Sequence, residues 1–276
     1  MAKPFDLGVI VSLSESSSAR EVFERVRTLG LATCQLAIWT ESRLNDETAQ
    51  DVKEAMRQTG VEITTLWVGW PGPAVWNFTE GPVTLGLVPL TYREMRLRCL
   101  MKGAEIAKKL GVPSITTHVG FIPENPTDPV YPEFISAMRY LASHCHRLGV
   151  EFWFETGQET PVTLLRAIQD IGTPNLGINL DPANLILYGK GNPVDALDVF
   201  GRYVRGVHVK DGVYPTDGRS LGKERPVGEG RVDFPALIRK LKDLNFQGAL
   251  TIEREISGEQ QTRDILKAID YLKKLI

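Results

Sequence analysis

Eight short apolar runs, rich in β-branched and aromatic residues, recur along the chain and alternate with longer amphipathic stretches. The runs are Phe5 to Ser12, Ala32 to Trp39, Glu62 to Gly69, Ser114 to Gly120, Glu151 to Thr156, Leu176 to Leu180, Val204 to Val209 and Ala249 to Glu253. Helical spacing of apolar residues marks Ala19 to Leu29, Glu47 to Thr59, Tyr92 to Leu110, Pro132 to Leu148, Val162 to Ile171, Val194 to Phe200, Phe234 to Leu244 and Gln260 to Leu275. Short apolar runs of this kind read as buried strands, and the amphipathic stretches as helices that cover them. Strands joined through helices pair in parallel, with crossovers of one hand. Eight βα units in 276 residues fit a closed (β/α)8 TIM barrel better than an open doubly wound sheet, which usually has fewer strands. Residues 1–276 therefore read as one barrel domain, undivided by any Ser/Gly/Pro-rich linker or charge block.

Gly30, Gly60, Gly111, Gly149 and Gly172 each follow the last apolar residue of a helical stretch, where a left-handed cap is wanted. No G-x-G-x-x-G opens a helix after the first run, which argues against a dinucleotide site. Lys plus Arg number 32 against 34 Asp plus Glu, a net charge of −2. No basic stretch could neutralise a row of phosphates, so no nucleic-acid partner is expected. The most basic local run, Arg93, Arg96, Arg98, Lys102, Lys108 and Lys109, falls within one helical stretch and reads as a solvated face. Nowhere do ~18 apolar residues run together, so no membrane-spanning helix is expected. The short apolar run from Leu7 to Leu13 lacks a clear cleavage site and reads as a strand. Cys34, Cys99 and Cys145 are odd in number and far apart, which points to a reducing, cytoplasmic setting.

In a (β/α)8 barrel the C-terminal ends of the strands converge on one rim, where chemistry is assembled. The fifth run ends in Glu155, Asp181 follows the sixth, the seventh carries His208, and the eighth ends in Glu253. A carboxylate at the edge of a dry core must be solvated, paired or bound to a cation. Three carboxylates and one imidazole, with no thiolate, make a hard site suited to Mn²⁺, Mg²⁺ or Co²⁺, and open to Zn²⁺. Taken singly, Glu155 and Glu253 could ion-pair with Lys210 and Arg254, and His208 could be a core histidine. Four such residues at one depth on four successive strands favour a metal centre.

Other rim residues are candidates for substrate contact. His118 ends the fourth run, where it could hydrogen-bond substrate or support a ligand; His144 and His146, two apart on one helix, share no face and read as structural. Trp67, Trp70 and Trp76 follow the third run, and indoles at a barrel mouth stack on sugar faces and exclude water. Trp70 is the candidate substrate contact among them, with loop packing as the alternative. Lys210 could orient a substrate oxygen or pair with Glu155. Gly228-Glu229-Gly230 could bring backbone close to a ligand, or form a turn ahead of a helix capped by Asp233.

These residues, together with His118-Val119-Gly120, His208-Val209-Lys210-Asp211 and Pro226-Val227-Gly228-Glu229-Gly230-Arg231-Val232-Asp233-Phe234, give the whole chain a resemblance to the xylose isomerase-like TIM-barrel superfamily, within it the sugar phosphate isomerase/epimerase group. The resemblance implies one divalent ion held by Glu155, Asp181, His208 and Glu253. Ketose 3-epimerases of the group carry a substrate-binding histidine three residues after the metal-binding Asp and an arginine six after the metal-binding His. Asn184 and Tyr214 stand at those positions here, a departure from the plain ketohexose 3-epimerase pattern that leaves Asn184 as the candidate substrate contact.

The expected chemistry is proton abstraction next to a carbonyl of a carbohydrate-like substrate, through an enediolate, with Glu155 and Glu253 as base and acid. Isomerase or epimerase is the first reading, with Mn²⁺ as the first candidate metal. A lyase or dehydratase on a keto-sugar or inosose is the alternative, and hydrolysis of phosphate esters would need two or more ions. The non-catalytic alternative is a barrel that binds a sugar or partner through its indole mouth. The expected partner is a small carbohydrate, and barrels of this group commonly form homo-oligomers.

Overall fold

The computed structural model describes residues 5–276. Among these, eight parallel strands close into a barrel in the order β1-β10-β7-β6-β5-β4-β3-β2. In chain order the elements are β1 (Leu7–Ser12), α1 (Ala19–Thr28), β2 (Thr33–Ile38), α2 (Asp46–Thr59), β3 (Glu62–Val68), α3 (Gly81–Thr84), α4 (Leu90–Leu110), β4 (Ser114–Thr117), α5 (Val130–Leu148), β5 (Glu151–Glu155), α6 (Pro161–Ile171), β6 (Leu176–Leu180), α7 (Pro182–Leu187), α8 (Pro193–Phe200), β7 (Val204–Val209), β8 (Asp211–Val213), β9 (Lys223–Arg225), α9 (Phe234–Asp243), β10 (Leu250–Ile252) and α10 (Glu259–Leu272). Strands β8 and β9 form a small antiparallel hairpin outside the barrel. The eight expected strands are all present. Some stop short of their expected ends, so that His118 and Glu253 lie just beyond β4 and β10.

The two faces of each strand divide by chemistry. On β5, Phe152 and Phe154 are fully buried and belong to the main core with the helices. The two-residue period turns Trp153 and Glu155 the other way, into the barrel. Burying one such Phe side chain contributes ~1.5–3 kcal/mol. By the same period Asn179 and Asp181 share the inward side of β6 and its end, and Gly206 and His208 that of β7. The barrel interior is therefore partly polar. Gln35, Asn179 and His208, each at most 1% exposed, meet at its centre.

The five expected helix-ending glycines have φ between +67° and +75°, the left-handed region that disfavours other residues. The basic run on α4 departs from expectation. Arg98 and Lys102 are exposed in ion pairs with Glu94 and Glu41, but Arg93 and Arg96 are buried. Arg96 donates to the backbone carbonyls of Pro71, Pro73 and Gly86 at 2.7–3.1 Å. Arg93 donates to those of Leu87 and Val88. Two guanidiniums thus hold the long connection after β3, because their five donors each can satisfy carbonyls that no strand or helix occupies.

The Gly228-Glu229-Gly230 segment also has a structural role. The Asp211 carboxylate accepts hydrogen bonds from the amides of Gly212, Gly228, Gly230 and Val232 at 2.8–3.1 Å. A Cβ on Gly230 would lie 2.0 Å from Asp211 Oδ1, so only glycine fits there. Asp233 caps α9 as expected. No helix among the described residues is long and apolar enough to cross a membrane.

Candidate metal centre

Four barrel strands deliver one ligand atom each to a single spot. Glu155 ends β5, Asp181 follows β6, His208 lies on β7 and Glu253 follows β10, and one ligand atom from each lies within 4.8 Å of the others. His208 Nδ1 is 3.1 Å from Glu253 Oε2, 3.3 Å from Glu155 Oε1 and 3.8 Å from Asp181 Oδ2. All four side chains are buried or nearly so.

Each ligand is aimed by a second contact. Asp181 caps α7, its Oδ1 accepting from the Asn184 amide at 2.9 Å, and its other oxygen faces His208. Thr156 ties the ends of β5 and β6 together: its hydroxyl donates to the Asp181 carbonyl and accepts from the Asp181 amide. The Trp67 indole N–H donates to Glu155 Oε2, and His118 Nε2 lies 3.4 Å from Glu155 Oε1. His208 Nε2 lies 2.8 Å from Gln35 Oε1, and Gln35 Nε2 donates to Asn179 Oδ1 at 2.8 Å. An Nε2–H donated to Gln35 leaves Nδ1 with its lone pair toward the carboxylates, the arrangement by which metal-binding histidines are oriented. Gly206 makes room for it, since a Cβ there would lie 2.5 Å from Asn179 Oδ1.

Asp181 Oδ2, His208 Nδ1 and Glu253 Oε2 are buried and form no hydrogen bond in the protein, although Lys210 Nζ lies at ion-pair distance from the two oxygens. Buried polar atoms are ordinarily paired, and these three converge with a carboxylate oxygen of Glu155. A hard divalent cation fits that donor set. Burial opposes charge on Glu155, His208 and Glu253, but their mutual attraction outweighs it. His208 and His118 hold Glu155 below the usual carboxylate range. Lys210 and His208 hold Glu253 below it as well. Glu155 and Glu253 in turn raise His208 well above an ordinary imidazole. A proton on Nδ1 occupies the place a cation would take, so the two compete.

Lys210 and Asn184 lie together beside this cluster. Lys210 Nζ is 2.9 Å from Glu255, 3.3 Å from Glu253 and 3.5 Å from Asp181, and it donates to Asn184 Oδ1. Lys210 therefore pairs with these carboxylates and not with Glu155. Arg254 pairs with Glu224 and Asp264, away from both catalytic candidates.

Above the cluster opens a cavity of about 680 Å³, bordered by Trp39, Trp76, His118, Asn184 and Glu255 among others. Trp70 does not border it. It is 4% exposed and sits behind the mouth, packed on Trp39 and Trp76, with the Arg96 guanidinium over its ring. The indoles that face the cavity are thus not Trp70 but Trp67, Trp76 and Trp39, the last two 39% and 42% exposed. Trp39 ends the second run, and the strand-end rule applied there would have singled it out. Gln35 and Asn179 are polar residues inside apolar strands, which is the sequence signal they carry.

A family model described as xylose isomerase-like TIM barrel matches residues 23–275. The crystal structure of a xylose isomerase domain protein from Planctomyces limnophilus is 34% identical, with a TM-score of 0.92 over 99% of this chain and 98% of that one. A 3-keto-D-glucoside 4-epimerase from E. coli shares the fold, with a TM-score of 0.74 at 18% identity over 98% of this chain and 99% of that one. An uncharacterized protein of Methanocaldococcus jannaschii is 25% identical over 197 residues, which is 67% of this chain and 63% of that protein's length.

Proposed function

The chain belongs to the xylose isomerase-like TIM barrel family, and from that premise we propose that it is a divalent-metal-dependent carbohydrate isomerase or epimerase. One observation carries the reading. Glu155 and Glu253 approach His208 Nδ1 to 3.3 and 3.1 Å, on the floor of a cavity bordered by three indoles, Trp39, Trp67 and Trp76. Glu155, Asp181, His208 and Glu253 would hold the ion, Mn²⁺ first with Mg²⁺, Co²⁺ or Zn²⁺ as alternatives, and when bound it supplies Lewis-acid polarisation of a substrate carbonyl.

The two carboxylates move the protons. One takes the proton from the carbon next to the carbonyl, and the electron pair of that C–H bond becomes part of an enediolate. Delivery of a proton to the other face of the same carbon gives the epimer. Delivery to the former carbonyl carbon, with the neighbouring hydroxyl proton passing to the former carbonyl oxygen, gives the isomer. The Trp67 N–H and His118 hold Glu155 in position, and Lys210 does the same for Glu253. Asn184 and His118 border the cavity and offer hydrogen bonds to substrate hydroxyls, whereas Lys210 lies behind it and acts through Glu253. Trp39 and Trp76 cover a sugar face and keep bulk water from the enediolate.

The deciding measurement is deuterium incorporation from D₂O into ketoses, inososes and 3-keto-sugars, with added Mn²⁺ and with chelator. Exchange that requires the ion is expected, and the products separate epimer, isomer and elimination. No exchange in any class, with one ion bound per chain, would overturn the reading.

A further inference from the structure

One cavity touches both faces of a single strand. Val9, Ile10, Val11 and Ser12 of β1 all border the cavity above the ligand cluster, yet successive strand side chains point to opposite faces of a sheet. Val9 and Val11 belong to the main core with the helices, and Ile10 packs on the indole cluster of the mouth. A single cavity reaches both sides only around an open edge.

The pairing shows where that edge lies. β1 pairs with β10 from Leu7↔Leu250 to Val9↔Ile252 and no further. It continues alongside β2 as far as Ser12↔Ala37. After Ile252 the pairing with β1 ends, although the Glu253 amide still donates to the Val209 carbonyl of β7, and residues 253–257 form neither strand nor helix. The barrel wall is therefore open at the rim between β1 and the segment after β10. Through this opening the cavity runs from Glu253 into a side chamber walled by Val9, Val11, Val22, Leu29 and Ile265. At its outer end a hydrogen bond from Arg25 to Gln261 joins α1 to α10.

We propose that this side chamber is a subsite for an apolar substituent, so that the substrate is a sugar carrying an aryl or an alkyl group longer than methyl rather than a free sugar. The inference rests on the reading of the cavity floor as a carbohydrate site. Arg25, Ser257 and Gln261 also line the cavity, but the aliphatic wall formed by Val9, Val11, Val22, Leu29 and Ile265 offers nothing to a hydroxyl, which would lose its hydrogen bonds to water there. An aryl or alkyl group gains by leaving water. The cavity volume of about 680 Å³ lies within the roughly 300–1,000 Å³ that holds ligands of drug size, leaving room beyond one sugar ring.

The test is a methyl-labelled NMR titration of the full chain with phenol, phenyl β-D-glucoside and methyl β-D-glucoside. Phenol and the phenyl glucoside are expected to shift the methyl signals of Val9, Val11, Val22 and Ile265, and the methyl glucoside to leave them in place. Val22→Phe, which fills the chamber from α1, should weaken phenol binding at least tenfold with Mn²⁺ affinity unchanged. Gln261→Trp plugs the outer end and serves if the first variant fails to fold. The proposal is overturned if millimolar phenol and phenyl glucoside move none of these methyls, or if both variants bind phenol as the wild type does. Deuterium exchange keeps the two readings apart. Absent exchange on free keto-sugars and on phenyl 3-keto-glucoside alike, with phenol bound in the chamber, would sink the isomerase reading alone. Exchange on free sugars with no phenol binding would sink the chamber alone.

Discussion

From β5 round to β10 the barrel strands end in Glu155, Asp181, His208 and Glu253, whereas from β2 to β4 the rim carries Trp39, Trp67 and His118. One side of the mouth is charged and the other aromatic. The aromatic side nevertheless reaches across to the charged one. Trp67 on β3 donates to Glu155, and Gln35 on β2 lies against His208. The charged half supplies groups that can bind a cation and move protons, and the opposite half sets their orientation. A ligand cluster in a barrel is thus built by both walls, although the ligands themselves come from one.

The sharpest way to break this division is to neutralise the charged half. Glu155→Gln and Glu253→Gln keep size and hydrogen-bonding capacity but remove the base, so proton exchange into substrate should fall ~10²–10⁴-fold, the usual contribution of a positioned acid–base group. Far-UV circular dichroism should be unchanged. A variant that retains the wild-type exchange rate would show that its carboxylate only balances His208 and Lys210.

A second perturbation asks how far the opposite wall controls the ligands. Gln35→Leu removes the acceptor that faces His208 Nε2 without touching any of the four candidate ligands. Loss of such an orienting contact typically costs ~10–100-fold in metal affinity, and Mn²⁺ titration calorimetry should show a drop of that order. Unchanged affinity would mean that β7 alone fixes the imidazole and that the two walls are independent.

These two experiments also mark what the amino-acid sequence reveals and what it hides. Glu155, Asp181, His208 and Glu253 are legible because charge at the end of an apolar run is costly and four runs repeat it. The helix-ending glycines are legible because the local backbone demands them. Gln35 and Asn179 are different. They sit 144 residues apart, and each alone is one polar residue in a buried strand, so only the closed barrel shows that they meet. The burial of Arg93 and Arg96 is hidden for a related reason. The carbonyls that receive them belong to an irregular connection, and any sequence of residues presents the same backbone acceptors. Which indole faces the cavity depends on the path of that connection, so Trp70 and Trp76 could not be ranked by spacing. The short helix α7 has a local signature, Asp181 as N-cap with Pro182 in its first turn, and the same Asp181 also serves as a candidate ligand, so one residue carries two signals.

The smallest expected effect concerns a carboxylate in the charged half that lies apart from the ligand cluster. Glu159, in the loop after β5, is 1% exposed, and burial pushes its carboxyl up to about 8 against the opposing pull of the Gly157 amide and its own. In the unfolded chain the same group titrates near 4.5. Between those values the folded protein holds a proton that the unfolded chain has lost, so stability falls as pH rises. Its contribution is fully present below the unfolded value and is lost by the time pH has passed the folded one. The slope from this group should be about 1 kcal/mol per pH unit between pH 5 and 7. Urea denaturation at pH 5, 6 and 7 should therefore show a shallower pH dependence for Glu159→Gln than for the wild type. Equal slopes would place an ionised Glu159 in the native protein, and the charged half would then extend one layer beyond the four candidate ligands.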